Sequence, residues 1–250
     1  GAMSTAPYLR GSVSEGEERR RMVAAIEVLR DNVAVPICVD TQRSRVALAA
    51  LEAGANIIND VSGLRFDARL ADVACRQRTP LILMHLRGRP ETMQQKPFAR
   101  SIWRSLREGL AGSIRRALAH GVRRSQLVID PGLGFGKSRR QNFEILAHLQ
   151  RLQRFGLPIL VGTSRKSFVQ AIVAGKGLDT SSSSKQARSP WPLASGERAG
   201  QALPLQLGDA AAVTASILAG AHIVRVHDVE AVLPAVRIAD ALLAAGKSRP

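Results

Sequence analysis

Aromatic side chains are scarce in this sequence: Phe, Trp and Tyr together make up 4% of its 250 residues. Proteins that hold single-stranded nucleic acid stack bases on aromatic platforms, and this chain has too few to build them. Acidic residues are also sparse, 20 against 36 Lys and Arg, for a formal net charge of +16. The basic residues are scattered (Arg19 to Arg21, Arg115-Arg116, Arg123-Arg124, Arg139-Arg140) and form no single stripe. That distribution suits loose attraction to polyanions or steering of an anionic substrate, with no specific nucleic-acid partner. The only cysteines, Cys38 and Cys75, each sit in an apolar segment, which predicts buried free thiols in a reducing compartment. No Cys/His spacing matches a structural metal site. No apolar run approaches the roughly 18 residues that span a bilayer, and no charged-then-apolar leader is visible. A cytoplasmic chain with no membrane partner is the expectation. Gly1-Ala2-Met3 reads as a cleavage scar and start Met, outside the fold.

What is present is a regular alternation. Hydrophobic residues make up 45% of the chain, enough for one large domain with a sizeable core. Ser14 with Glu17 has the spacing of a capping box and opens a helix to about Asp31. Short apolar runs follow: Val35 to Val39, Asn56 to Ile58, Pro80 to Met84, Leu127 to Ile129, Pro158 to Val161 and His222 to His227. Each reads as a buried parallel strand, and each is followed by a helical pattern. The predicted helices cover about 44–53, 67–77, 99–120, 141–155, 167–174, 209–219 and 230–245. Residues 175–206, with Ser181 to Ser184 and three prolines, lack a helical period and read as a mobile insertion. Six β-then-α units imply a parallel sheet, doubly wound or closed as a (β/α)8 barrel. Gly132, Gly134 and Gly136 fit neither the dinucleotide fingerprint nor the Walker loop, which favours the barrel.

Every predicted strand ends in polar chemistry: Asp40, Asn59, His85, Asp130, Lys166, then Arg225 and His227. In a barrel these groups converge on one mouth. Neighbouring Asn and Asp can read a flat heterocycle through its N–H edge, while Lys166, Arg225 and His227 suit an anion or a developing oxyanion. Met84 and Phe135 are expected to line the site. Nothing orders a Ser-His-Asp set or an activated Cys, so a covalent nucleophile is not indicated.

The segments Asp40-Thr41, Ile58 to Gly63, Leu83-Met84-His85, Asp130 to Lys137, Gly162 to Ser167 and Arg225 to Val229 resemble, in order, the motifs of the dihydropteroate synthases. The resemblance covers nearly everything from Ser14 onward. It implies a TIM-type (β/α)8 barrel, over residues 14–250, that condenses p-aminobenzoate with a hydroxymethyl-dihydropterin diphosphate in folate biosynthesis. Diphosphate would be released, with Mg²⁺ assisting, in a cytoplasmic homodimer of the kind sulfonamides target. It implies that Asp40, Asn59, Asp130 and Lys166 hold the pterin and that Met84, Phe135 and Gly162 shape its pocket. Arg225 and His227 would take the diphosphate, Lys166, Arg225 and His227 would serve catalysis, and Ser167 would lie near p-aminobenzoate. Only six of the eight barrel units are legible, so the first two strands of the family are expected to be lacking. Residues 1–13 then read as scar plus loop remnant, with Ala6 where the family carries Arg. Two alternatives share the Asp40, Asn59 and Asp130 pattern: a non-catalytic pterin-binding homologue and a folate–corrinoid methyltransferase domain.

Overall fold

The computed structural model describes residues 13–88, 93, 98–178 and 199–247. The expectations for residues 1–12 and for Ser181 to Ser184 lie outside them. Helix α1 (Glu15–Asn32) starts at Ser14, whose hydroxyl accepts the Glu17 N–H at 3.2 Å. The box is not reciprocal, because the Glu17 carboxylate instead binds Arg20 and Arg21. Strand β1 (Cys38–Asp40) and helix α2 (Ser44–Glu52) follow. Then come β2 (Ile57–Asp60), α3 (Arg69–Arg76), β3 (Leu81–Met84) and α4 (Ile102–Ala119). The chain continues with β4 (Leu127–Asp130), α5 (Arg139–Ala147), β5 (Leu160–Gly162) and α6 (Ser167–Val173). It closes with α7 (Ala199–Leu218), β6 (Ile223–Arg225) and α8 (Val229–Lys247).

All the strands are parallel, so the fold is α/β as the alternation demanded. Strands β1 to β4 pair in chain order and β5 pairs with β6. An Ile129–Ile159 bridge joins the two sheets. The sheet curls enough that Arg225, at the end of β6, comes within 3.9 Å of Asp40 at the end of β1. The core fills the space between the outer face of this curl and the helices. From the strands it takes Ile58, Leu81, Leu83, Leu127 and Ile129, all at most 1% exposed. Helix α4 meets them with Leu106, Leu110, Ile114 and Ala117, the stripe that a 3.6-residue period predicts.

Three expectations need correction. Cys38 is exposed, because it shares with Asp40 the face of β1 that the helices do not cover, whereas Val39 between them enters the core. The helix predicted over 141–155 is α-helical only to Ala147 and tightens to a 3₁₀ helix over Leu149–Phe155, ended by left-handed Gly156. The irregular stretch 175–206 does not extend as far as expected, since α7 already begins at Ala199 and absorbs Pro204. Pro204 is the sixth residue of α7, past its first turn, so its missing N–H leaves one intrahelical hydrogen bond unmade.

Helix α2 has no cap from Arg43, its own N-cap residue; the Asp67 carboxylate reaches across to accept the Ser44 N–H at 2.9 Å. Hydrogen bonds from Arg69 and Ser44 outweigh the cost of partial burial and hold the Asp67 pKa down to about 2. We expect Asp67→Ala to cost about 1–2 kcal/mol at pH 7. A depressed carboxylate pKa gives stability that is present above the unfolded value, near 3.8, and is lost as pH falls through 2. The wild-type advantage in denaturant melts should therefore shrink between those values. An advantage that stayed constant across them would contradict this role for the cap.

Candidate active site

The register of the sheet decides which side chains share the mouth. Asp40 lies beside Asn59, Met84 beside Asp130, and Gly162 beside Arg225. Cross-strand partners point to the same face, so six strand ends contribute to one surface. All the strands being parallel, these ends lie together at the carboxyl edge, where such folds place their chemistry.

One wall of the mouth is acidic and amidic. The Asn59 Nδ2 donates to Asp40 Oδ1 at 3.3 Å, which leaves the buried Asn59 Oδ1 without a partner among the described residues. Asp130 is 8% exposed, and one of its oxygens accepts the Gly132 N–H at 2.7 Å. Its other oxygen has no protein donor among the described residues. Burial pushes the Asp130 carboxyl up to about 6, against the pull of that N–H and of Lys166, Lys137 and Arg225. The tight exit after Asp130 depends on Gly132, whose φ is +64° and whose missing Cβ would collide with the His85 carbonyl.

The opposite wall is cationic. The Lys166 ammonium lies 4.2 Å from the centre of the Phe135 ring, a cation–π contact at the rim. Burial lowers its pKa from the usual lysine range, while Asp130 and Asp40 oppose the shift. Arg225 is largely exposed, and among the described residues its one ion-pair contact is the long one to Asp40. Gly162 leaves room beside Arg225, and Ser167 opens α6 with its side chain exposed. Met84 is 3% exposed and packs with Leu86, Met93, Val61 and Phe135.

Burial, followed by the fields of Arg165 and Arg225, lowers the His227 pKa from its ordinary value, which favours the neutral ring. Its Nδ1 lies 3.1 Å from Ser164 Oγ, which itself donates to Asp209 Oδ2 at 2.9 Å. With that hydroxyl proton committed to Asp209, Nδ1 carries the hydrogen and Nε2 is the acceptor. Ser164 and Asp209 were not singled out in the sequence. Ser164 lay inside the Gly162 to Ser167 motif, whereas Asp209 stands 45 residues away and carried no local signal.

His85, grouped above with the strand ends, faces away from the mouth. Its ring packs against Gly109 of α4, and Nε2 is 3.2 Å from Ser105 Oγ. Burial holds it neutral, its pKa well below the ordinary histidine value. The one-residue step beyond Met84 inverts the direction of the side chain. A cavity of about 250 Å³ lined by Arg65, His85, Arg87, Ser105 and Glu108 opens on that outer side, behind Met84. For the expected Mg²⁺, the described residues offer no group of three or more His, Cys, Asp or Glu that could hold a metal.

The mouth thus combines unused hydrogen-bond acceptors on one side with cations on the other, over an apolar floor. That pairing fits a donor-edged heterocycle attached to an anion. Comparison with known proteins agrees. The family model described as "Pterin binding enzyme" matches residues 1–227. A dihydropteroate synthase from Synechocystis is 38% identical over 242 residues, 97% of this chain and 75% of its own. The Escherichia coli dihydropteroate synthase is 32% identical over 249 residues, 100% of this chain and 79% of its own. Among solved structures, the Yersinia pestis dihydropteroate synthase with a sulfonamide drug complex superposes with a TM-score of 0.80. It is 33% identical, and the match covers 97% of this chain and 78% of that one. The Thermus thermophilus dihydropteroate synthase in complex with 4-aminobenzoate gives 0.78 at 33% identity, covering 96% and 82%.

Proposed function

The chain belongs to the pterin-binding enzyme family, among its dihydropteroate synthases, the transferases of folate biosynthesis, and on that premise we propose how its own residues perform the condensation. The observation that carries the reading is that one oxygen of Asp130 and the Oδ1 of Asn59, two strands apart on the same face of the sheet, have no partner among the described residues. Together they accept the adjacent N–H donors along the edge of a dihydropterin. Asp40 anchors Asn59 from the neighbouring strand. Met84 and Phe135 close on the faces of the ring, and Lys166 lies beside the heterocycle near its exocyclic methylene.

In the reaction the bond from that methylene carbon to the diphosphate oxygen breaks, and its electron pair leaves with diphosphate. The carbocation left is delocalised into the pterin ring. The lone pair of the p-aminobenzoate nitrogen then forms the new C–N bond, and the nitrogen gives up a proton. Lys166 and Arg225 stabilise the charge developing on the leaving oxygen, and placement of the amine, near Ser167, supplies the rest. Mg²⁺ supplies charge neutralisation to diphosphates in general and takes only one or two protein ligands alongside the substrate's oxygens.

The state of His227 makes a specific prediction. A neutral ring whose Nδ1 is committed to Ser164 has no hydrogen to give an anion. The charge of an arriving diphosphate raises the ring's pKa, and the imidazolium then donates from Nε2. Diphosphate binding near pH 7 should therefore take up more protons in the wild-type chain than in a chain without this imidazole. Calorimetry in buffers of different ionisation enthalpy measures this directly. Uptake should fall in His227→Asn; equal uptake in that variant would remove His227 from the diphosphate site.

The same reading carries a homodimer and a cytoplasmic setting. It draws support from the apolar side chains that α7 and α8 leave exposed, Leu207, Ile238 and Leu242 among them. No helix among the described residues is long and apolar enough to cross a membrane. The binding step is tested with 6-hydroxymethylpterin and p-aminobenzoate added separately and together. Pterin should bind alone and raise the melting temperature. No stabilisation at concentrations far above those that saturate a pterin site would defeat the assignment.

A further inference from the structure

Lys137 ends the glycine run that follows Asp130, and the condensation as described makes no use of it. Its side chain is 3% exposed, yet no carboxylate is within ion-pair distance of it among the described residues. The ammonium donates instead to three backbone carbonyls: Gly132 at 2.8 Å, Phe135 at 3.0 Å and His85 at 3.2 Å. An ammonium has three hydrogens, and here each has an acceptor. Two of those carbonyls belong to the loop between Asp130 and Lys137, and the third belongs to the exit of β3.

The geometry places this contact behind both functional ends of the loop. At one end, the Gly132 N–H fixes the Asp130 carboxylate, and the Gly132 carbonyl is held by Lys137. At the other, Phe135 faces Lys166 at the rim, while its own carbonyl is held by Lys137. The His85 N–H donates to the Asp130 carbonyl at 2.8 Å, so the third contact ties β3 and its Met84 to the same frame. Asn142 braces the loop from α5, accepting the Gly134 N–H at 2.7 Å.

We propose that Lys137 is a positioning residue of the pterin site, whose ammonium pins the glycine loop and so sets where Asp130 and Phe135 stand. The inference rests on the pterin reading of the mouth. A buried ammonium held only by carbonyls is costly to keep charged, and burial lowers its pKa to about 7. The groups that face it are Asp130 on β4, which favours the charge, and Lys166, Arg65 and Arg87, which oppose it. His85, also facing it, is neutral and adds no charge. As pH rises through 7, the amine keeps two hydrogens for three carbonyls and withdraws the positive charge that helps keep Asp130 ionised. The hold on the loop is complete below that pH and weakens above it.

The test is the affinity for 6-hydroxymethylpterin of the wild-type chain and of Lys137→Met, measured from pH 6 to 8.5. Taking the ratio at each pH cancels the ligand's own titration. The ratio should be at least tenfold at pH 6.5 and fall toward twofold at pH 8.5. A purely structural lysine would lower the melting temperature but leave a ratio that does not change with pH, and that result overturns the proposal. Should the variant not fold, hydrogen exchange on the wild-type chain gives the same decision. Amides 132 to 137 should lose protection between pH 7 and 8.5, after correction for intrinsic rates, while those of α4 keep theirs. Unchanged loop protection contradicts the proposal. Asp130→Asn separates the two ways of failing. If it too leaves pterin affinity intact, the site reading is wrong; if it weakens binding and Lys137→Met does not, only the role of Lys137 is.

Discussion

Asp130→Asn should weaken pterin binding by about a hundredfold or more while leaving the protein at least as stable as before. The affinity loss follows from hydrogen-bond polarity. One Asp130 oxygen is already taken by the Gly132 N–H, so in the variant the amide oxygen occupies that position. The amide NH₂ then faces the pterin edge, donor against donor, and a charge-assisted acceptor has been replaced by a clash. Losing one partner of a buried, charge-assisted contact costs on the order of 3 kcal/mol, which is about that factor in affinity. The stability effect has the opposite sign. The Asp130 pKa is raised to about 6 from 3.8, mainly by burial. A carboxyl with a raised folded-state pKa contributes stability that is present below its unfolded value and lost as pH rises through 6. At pH 7 the wild-type chain therefore bears the cost of an ionised buried carboxylate, which the neutral amide avoids. Melting curves and pterin titrations on the same samples check both halves. A variant that lost affinity and melting temperature together would make Asp130 a structural residue.

Lys166→Met should reduce turnover by about a hundred- to a thousandfold at saturating substrate, the usual consequence of removing one preorganised charge from a site where charge develops. Lys166 follows β5 and lies over the Phe135 ring, with its pKa opposed by burial and supported by Asp130 and Asp40. In the proposed mechanism it stands beside the methylene–oxygen bond that breaks. Methionine preserves most of the volume and the contact with Phe135, so the pocket keeps its shape. The loss should accordingly fall on kcat more than on the KM for the pterin substrate. Steady-state kinetics separates the two. A rise in KM with kcat unchanged would mean that Lys166 only holds the ground state.

Much of this was legible in the sequence, for physical reasons that also mark where legibility ends. An apolar run closed by a polar residue and a turn signal is a local pattern, and it located Asp40, Asn59, Asp130 and Arg225 at strand ends. The parallel register then placed them on one face. Orientation at the next residue was not local. His85 follows Met84 directly, yet the pleat sends it outward onto Gly109 of α4. Charge state was not local either, since burial and the fields of Arg165 and Arg225 are what favour the neutral His227 ring. Its orienting partner Asp209 arrives from α7, beyond the irregular stretch. Gly132, Gly134 and Gly136 matched no phosphate-binding motif, and only the folded loop shows what the ammonium of Lys137 holds. The exposure of Cys38 depends on which face of β1 the helices cover, which a short apolar run does not encode.

The central claim is that this mouth joins an amine to a pterin methylene with loss of diphosphate. Labelled p-aminobenzoate incubated with hydroxymethyl-dihydropterin diphosphate and the purified chain tests it most directly. The account predicts label in dihydropteroate, one equivalent for each diphosphate released, and none with Lys166→Met over the same interval. Pterin binding with neither diphosphate release nor incorporation of label would contradict it.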